Sequence, residues 1–210
     1  MNNLQIKFIN LCYLLRMFKD KSYQSAINWY YGDTGNVERI YKENETIYSH
    51  ISKLCTQMTP IIDNIILGNA CDASFYSRLE DANISTIINV TKEIPNYFEK
   101  YFKYQKIKLN DQNKDKVKFT NEIFDQVNSF IESQQTKNAK NIKHNILIHC
   151  YMGSSRSATV TASYIIYKYG YTVDECVKLI HSKREIMNIN TGFMENLQDY
   201  YEYCQNKKYN

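Results

Sequence analysis

The chain has 210 residues, of which 43% are hydrophobic and 23% are charged, and it contains only two prolines and six glycines. This composition supports one domain with a buried core and excludes a collagen-like or linker-rich protein. No apolar run approaches the ~20 residues of a membrane span. The net charge of +4 is too small to make nucleic acid the expected partner. The composition therefore predicts a soluble globular protein.

The six cysteines lie at positions 12, 55, 71, 150, 176 and 204, and no two of them are spaced as Cys-x-x-Cys. A zinc site is therefore not expected. The N-terminal stretch is apolar, but Lys7 and Asn10 interrupt it and it lacks a small-residue cleavage site, which argues against a signal peptide. Cysteines that stay reduced favour a cytoplasmic protein, with the nucleus also compatible.

The first 57 residues are expected to form an N-terminal helical extension, residues 1–57. Apolar residues at helical spacing predict a short helix over 1–18 and one or two amphipathic helices over 37–57. The intervening 19–36 has turn-forming residues and is predicted to be a loop. The pattern changes near Pro60, which places a second domain over 58–205.

Strands and helices are predicted to alternate in this second domain. The strands are expected at 61–67, 86–90, 104–109 and 145–149, and the helices at 73–82, 116–133, 158–169, 172–182 and 192–205. Gly170 is suited to end one helix, and Thr172 with Glu175 forms a capping box for the next. The alternation predicts an α/β fold with helices on both faces of a sheet.

One stretch carries recognisable chemistry. The strand at 145–149 runs into Cys150, a loop with Gly153 and two serines follows, and a helix begins near Arg156. Backbone N–H groups of such a loop and of the first helical turn lack internal partners and point into one concavity. The helix N-terminus adds partial positive charge, and Arg156 offers a planar fork for two phosphate oxygens. The pattern predicts a phosphate-binding loop.

The same positive environment favours the ionised form of Cys150, whose thiolate would be a nucleophile beneath a bound phosphate. The alternative is a buried structural cysteine at the end of a strand. The strand, the cysteine, five intervening residues, Arg156 and the helix occur together here. This combination favours the nucleophile.

Residues 149–159, HCYMGSSRSAT, resemble the His-Cys-x-x-Gly-x-x-Arg-Ser signature of the cysteine-dependent protein phosphatases, and the final SAT is similar to the dual-specificity subgroup. The resemblance covers roughly residues 58–204. It departs from the family at Glu185 and Ile189, where prolines are usual, and this concerns the conformation of one loop. The other segments that resemble the family are IIDNIILGNACDAS, ISTIINVT, FKYQKIKLND and SKREIMNINTGFMENL.

The resemblance implies a cysteine-phosphatase-like central mixed sheet and a catalytic domain over 58–205. It implies that Cys150 is the nucleophile and that Asp111 is the general acid. Asp115 is a nearby competitor, and either carboxylate could instead be a solvated loop residue. The phosphate-binding positions implied by the resemblance are Tyr151, Met152, Gly153, Ser154, Ser155 and Arg156.

Two neighbours of the nucleophile have two interpretations each. His149 would tune Cys150 from a buried position, or it is an ordinary core histidine at a strand end. Ser157 would donate a hydrogen bond to the sulfur of Cys150 and ease its departure, or it is simply a serine in the first turn of a helix.

The resemblance implies two-step phosphoryl transfer without a metal or organic cofactor. Neutral residues at the variable loop positions suit a substrate with one phosphate, which favours phosphotyrosine and phosphoserine/threonine in proteins. A phosphoinositide or RNA 5′-phosphatase, and a non-catalytic phosphoprotein-binding module on the same fold, are the alternatives. The extension over 1–57 would either mediate a homodimer or cover the core of its own subunit.

Overall fold

The computed structural model of the protein describes four stretches, residues 58–74, 76–109, 119–138 and 144–208. The helices predicted within residues 1–57 lie outside these stretches, and so do both candidate acids, Asp111 and Asp115. The fold below is that of the described stretches.

The described stretches contain five strands, five α-helices and one 3₁₀ turn, joined by loops. The strands are β1 (Thr59–Ile62), β2 (Ile65–Gly68), β3 (Ile84–Asn89), β4 (Lys103–Lys106) and β5 (Asn145–His149). The helices are α1 (Tyr76–Asp81), α2 (Asn121–Asn138), α3 (Arg156–Tyr169), α4 (Val173–Lys183) and α5 (Thr191–Lys208), and the 3₁₀ turn spans Asp72–Ser74. No helix among these is both long and apolar enough to cross a membrane.

The strands form one mixed sheet in the order β1-β2-β5-β3-β4. β1 pairs antiparallel with β2, and the other neighbours pair in parallel. Central β5 is buried after its first residue, as expected for a parallel strand covered on both faces. Because β5 leads directly into Cys150, that residue lies at the carboxyl edge of the parallel strands, where open α/β sheets bind ligands.

Apolar clusters cover both faces of the sheet, so the predicted α/β architecture is confirmed. Along β5, Ile146 and Ile148 face a large cluster that includes Tyr164 and joins the sheet to α2, α3, α4 and α5. Leu147, between them, faces a smaller cluster that includes Leu79 of α1. This alternation is the two-residue period of a strand. Four helices therefore cover one face and one short helix covers the other.

The single strand predicted over 61–67 is wrong, because this segment is a hairpin. β1 and β2 are joined at Asp63 and Asn64, and Asp63 has a φ of 47°. Aspartate tolerates this left-handed conformation in turns better than most residues. The apolar residues on both sides of the turn gave one continuous strand pattern. The predicted strands at 86–90 and 104–109 exist but are shifted toward the N-terminus.

Four predicted helices have bounds that differ by more than one residue from the prediction. The helix predicted over 73–82 is divided into the 3₁₀ turn and α1. The helix predicted over 116–133 begins only at Asn121, because Thr120 acts as its N-cap: its Oγ1 accepts a hydrogen bond from the Ile123 N–H at 3.4 Å. α3 begins at Arg156, before the predicted 158, and α5 extends three residues beyond the predicted 205.

The predicted caps around α3 and α4 are confirmed. Gly170 has a φ of 72° and its N–H donates to the Ile166 carbonyl at 2.9 Å. Thr172 and Glu175 form the reciprocal capping box, with the Glu175 N–H donating to Thr172 Oγ1 at 3.3 Å and the Thr172 N–H donating to Glu175 Oε2 at 2.8 Å. These caps define both ends of the connection that follows the long buried helix α3.

Candidate active site

The loop after β5 surrounds the sulfur of Cys150, a residue that is 1% exposed. Two donors reach this sulfur: the backbone N–H of Gly153 and the hydroxyl of Ser157, each 3.2 Å from Sγ. Hydrogen bonds to sulfur stabilise its negatively charged form. Ser157 therefore occupies the position expected of a donor to the sulfur.

The N-terminus of α3 lies beside this loop. Ser155 is the N-cap residue, but its side chain makes no capping hydrogen bond to the helix. Its Oγ instead accepts from the backbone N–H of Asn190 at 3.4 Å. The first N–H groups of α3 are therefore not capped by Ser155, and they provide the partial positive charge that favours an anion.

Arg156 is the first residue of α3 and its side chain is 2% exposed. Its Nη1 lies 2.8 Å from Oε1 of Glu93 and donates to the Leu109 carbonyl at 3.0 Å. Leu109 is two residues before Asp111, which lies outside the described residues. Arg156 thus joins the predicted phosphate-binding loop to the segment that leads to the expected acid.

A second buried arginine supports the loop from behind. Arg184 is 3% exposed; its Nε donates to the Gly153 carbonyl at 2.7 Å, and its Nη2 to the Met152 carbonyl at 3.5 Å. Its Nη1 donates to Thr59 Oγ1 on β1 at 3.0 Å. Burial lowers the pKa of Arg184 below its usual value. Sequence analysis missed this role, and its only signal was the scarcity of arginine, five residues in the chain.

His149 is completely buried at the end of β5. Burial lowers its pKa to about 4, and nearby Lys106 and Arg156 lower it further, against a hydrogen bond with the Cys150 backbone. The ring is therefore neutral at pH 7. Its Nδ1 lies 3.4 Å from the Cys150 carbonyl, whereas its buried Nε2 has no hydrogen-bond partner among the described residues.

The other implied loop positions are tied to the surrounding backbone. The Tyr151 carbonyl accepts from the Ala70 N–H at 3.1 Å, which joins the loop to the turn after β2. Tyr151, Met152 and Ser154 are half-buried, so their side chains are not part of the core. No cluster of three or more His, Cys, Asp or Glu side chains suited to a metal ion occurs within the described stretches.

A sequence model of the dual specificity phosphatase catalytic domain matches residues 65–203, which include the whole loop, Arg156 and Arg184. The chain belongs to the dual specificity phosphatase family. Over 141 residues it is 32% identical to human protein phosphatase Slingshot homolog 1, covering 67% of this chain and 13% of that protein. Over 142 residues it is 32% identical to human dual specificity protein phosphatase 6, covering 67% of this chain and 35% of that protein.

The chain thus spans about a third or less of the length of these two relatives. A crystal structure of human DUSP28 has the same fold, with a TM-score of 0.63 and 20% identity over 71% of this chain and 99% of that one. This similarity concerns the fold alone. The mixed sheet and the helices of the described stretches agree with this similarity and with the sequence match.

The two variable serines of this phosphatase loop hold the segment between α4 and α5, residues 184–190. Ser154 Oγ donates to the Ile186 carbonyl at 2.6 Å, and the Asn188 N–H donates to the Ser154 carbonyl at 3.0 Å. The hydroxyl of Ser155 is engaged with Asn190. Both serine hydroxyls are therefore engaged with protein, and a phosphate would rely on the backbone N–H groups of the loop and on Arg156.

These contacts lie in the segment where the family resemblance leads one to expect prolines. Proline would restrict the backbone at positions 185 and 189. Glu185 and Ile189 impose no such restriction, but hydrogen bonds with the loop serines constrain Ile186, Asn188 and Asn190. Tertiary contacts therefore hold this segment without proline at either position.

Gly153→Ala is expected to destabilise the protein and to reduce phosphate binding. Gly153 has a φ of 69°, and a Cβ there would lie 2.5 Å from Arg184 Nη2 and 2.8 Å from the Gly68 carbonyl carbon. Left-handed strain and this overlap together cost at least about 2 kcal/mol of unfolding free energy. Urea denaturation measures the loss.

Gly192→Ala is the matched control, because a Cβ at Gly192 in α5 would meet only Asn190 Oδ1 at 3.6 Å. This variant should be as stable as the original protein or slightly more stable. Equal stability of the two alanine variants would contradict the assignment of Gly153 as a constrained position.

Proposed function

We propose that this chain is a dual-specificity protein phosphatase that hydrolyses phosphotyrosine and phosphoserine/threonine through a phosphocysteine intermediate. The observation that carries the proposal is the sulfur of Cys150, which lies at the N-terminus of α3 and accepts hydrogen bonds from Gly153 and Ser157 at 3.2 Å. Donors to the sulfur favour the thiolate, and the uncapped helix terminus favours the phosphate that it attacks. Family membership supports the same chemistry.

In the first step, the Cys150 thiolate attacks phosphorus, an S–P bond forms, and the P–O bond to the substrate breaks. Asp111, identified by family resemblance, gives its proton to the departing oxygen. In the second step, water attacks phosphorus, Asp111 takes a proton from that water, and the S–P bond breaks to return the thiolate. Arg156 and the loop N–H groups stabilise the equatorial oxygens in both steps.

Two neighbours would assist the sulfur in this scheme. The hydroxyl of Ser157 stabilises the negative charge that Cys150 regains when the S–P bond breaks. The neutral ring of His149 can donate from Nδ1 to the Cys150 carbonyl, which orients the backbone at the nucleophile. Both residues would act on Cys150 and need not touch substrate.

The proposed substrate class rests on the charge of the loop. Its variable side chains are neutral, and those of Ser154 and Ser155 are engaged with residues 184–190. Arg156 is therefore the cation that the loop itself contributes, which suits one phosphate group rather than several. Phosphotyrosine, phosphoserine and phosphothreonine in proteins each carry one.

The experiment compares kcat/KM for the full chain, in the presence of a chelator, on four substrates: phosphotyrosyl and phosphothreonyl peptides, a phosphoinositide, and RNA with a 5′-triphosphate. The two peptides are expected to be hydrolysed best. Preference for the lipid or the RNA would overturn the substrate class while leaving the mechanism in place. No turnover above that of Cys150→Ser would instead favour a non-catalytic phosphoprotein-binding module.

We also propose that residues 1–57 form the helical extension and residues 58–205 the catalytic domain. The amphipathic pattern over 37–57 supports a helix whose apolar face packs either on a second subunit or on the core of the same subunit. A reducing compartment, the cytoplasm or the nucleus, suits a thiolate nucleophile, which oxidation would inactivate.

If the extension mediates a homodimer, its removal is expected to convert that homodimer into a monomer. Light scattering on the full chain and on residues 58–210 measures both masses. A homodimer that persists after truncation would place the interface on the catalytic domain, and two monomers would show that the extension acts within one subunit.

A further inference from the structure

A buried polar network determines the conformation of the loop after β3. Asn89 Nδ2 donates to the Ile94 carbonyl at 2.8 Å, and the Thr91 hydroxyl donates to Asn89 Oδ1 at 2.7 Å. The Ile94 N–H donates back to Thr91 Oγ1 at 3.0 Å. Lys106 Nζ donates to the same Ile94 carbonyl. Since Asn89 and Thr91 are fully buried, this network leaves residues 91–94 little conformational freedom.

Glu93 is the residue that this loop carries toward the site. Its side chain is 42% exposed, yet Oε1 lies 2.8 Å from Arg156 Nη1, and Oε2 accepts from the Lys92 N–H at 3.1 Å. The Leu109 carbonyl accepts from both Arg156 Nη1 and the Lys92 N–H, at 3.0 and 3.2 Å. Nη1 has two hydrogens, and it lies within hydrogen-bond distance of two acceptors, the Glu93 carboxylate and the Leu109 carbonyl.

We propose that Glu93 is a positioning residue that holds the Arg156 guanidinium in the orientation needed to receive a phosphate. Turning the guanidinium about its Cδ–Nε bond would break the charge-assisted contact with Glu93 and the bond to Leu109. With Nη1 held by both acceptors, the plane of the guanidinium is fixed beside the loop. The proposal rests on the proposed function, since it concerns how the same loop binds phosphate.

Glu93 affects the phosphate in two opposite ways. Its orientation of Arg156 favours binding, because a guanidinium that is already oriented loses little rotational freedom when the oxyanion binds. Its negative charge, beside the cation that the phosphate needs, disfavours binding. Glu93→Gln and Glu93→Ala both remove the charge, but only glutamine keeps an oxygen that can accept from Nη1. A comparison of these two variants therefore isolates orientation from charge.

The test measures the Kd of inorganic tungstate and the kcat for p-nitrophenyl phosphate, using the full chain. Glu93→Ala is expected to bind tungstate about five- to tenfold more weakly than Glu93→Gln, and to have a kcat lower by a similar factor. Glu99→Ala is the matched control: Glu99 accepts from Asn96 Nδ2 in the same β3–β4 connection and is exposed. This control should match the original protein in both measurements.

A double-mutant cycle separates positioning from general destabilisation. In an Arg156→Lys background, Glu93→Ala should cause little further loss of tungstate affinity, because there is no guanidinium left to orient. Equal tungstate affinities of Glu93→Ala and Glu93→Gln would overturn the proposal. So would a double variant whose loss of tungstate affinity equals the product of the fold-losses of the two single variants. Tungstate binding without turnover in the original protein would contradict the proposed function and still test the role of Glu93.

Discussion

Cys150→Ser is expected to abolish turnover, with kcat reduced at least about 10³-fold, and to leave the fold intact. A serine hydroxyl is not ionised at neutral pH, so it cannot replace the thiolate as the attacking group. The smaller oxygen can still accept from Gly153 and Ser157, the two donors that now reach Sγ at 3.2 Å. Steady-state hydrolysis of p-nitrophenyl phosphate and thermal denaturation measure the two halves of this prediction.

Inorganic phosphate should raise the melting temperature of Cys150→Ser, because the loop N–H groups and Arg156 remain. Cys176→Ser is the matched control. Burial raises the pKa of Cys176 to about 12, and its thiol donates to the Ala162 carbonyl at 3.7 Å, a contact that a serine hydroxyl can also make. This control should keep its kcat. Turnover retained in Cys150→Ser would refute the nucleophile assignment.

Asp111→Ala is expected to lower kcat about 10²–10⁴-fold on phosphoserine and phosphothreonine peptides and much less on p-nitrophenyl phosphate. An alkoxide is a strong base and needs a proton as it leaves, whereas p-nitrophenolate leaves with little help. Substrate should still bind, since Arg156 and the loop are unchanged. The ratio of kcat between the two substrate types is the measurement.

The pH profile gives a second readout of the same residue. In the original protein, kcat/KM should fall at high pH as Asp111 loses the proton that it gives to the departing oxygen. Asp111→Ala should lose this basic limb. Asp115→Ala is the control, with an unchanged profile expected. If Asp115→Ala shows this pattern instead, Asp115 is the acid.

Local sequence determined the parts of this protein whose partners lie within a few residues. The capping box of Thr172 and the end of α3 at Gly170 follow from contacts over three or four positions. The loop between Cys150 and Arg156 belongs to the same class, because a strand, a short loop and a helix N-terminus create an anion site by local geometry. The central strand at 145–149 was also predictable, since its three inner residues, 146–148, are all apolar.

Tertiary structure decided the features that depend on distant residues. Arg184 supports the loop across 31 positions of sequence, and Leu109 meets Arg156 across 47. Glu93 was not distinguishable from any exposed acidic residue, because only the buried network at Asn89 brings it to Arg156. The identity of a side chain specifies which hydrogen bonds and ion pairs it can form. The sheet order β2-β5-β3 decides which distant loops meet beside Cys150. The sequence therefore determined the chemistry of the nucleophile and its cradle, and the fold alone determined which side chains orient them.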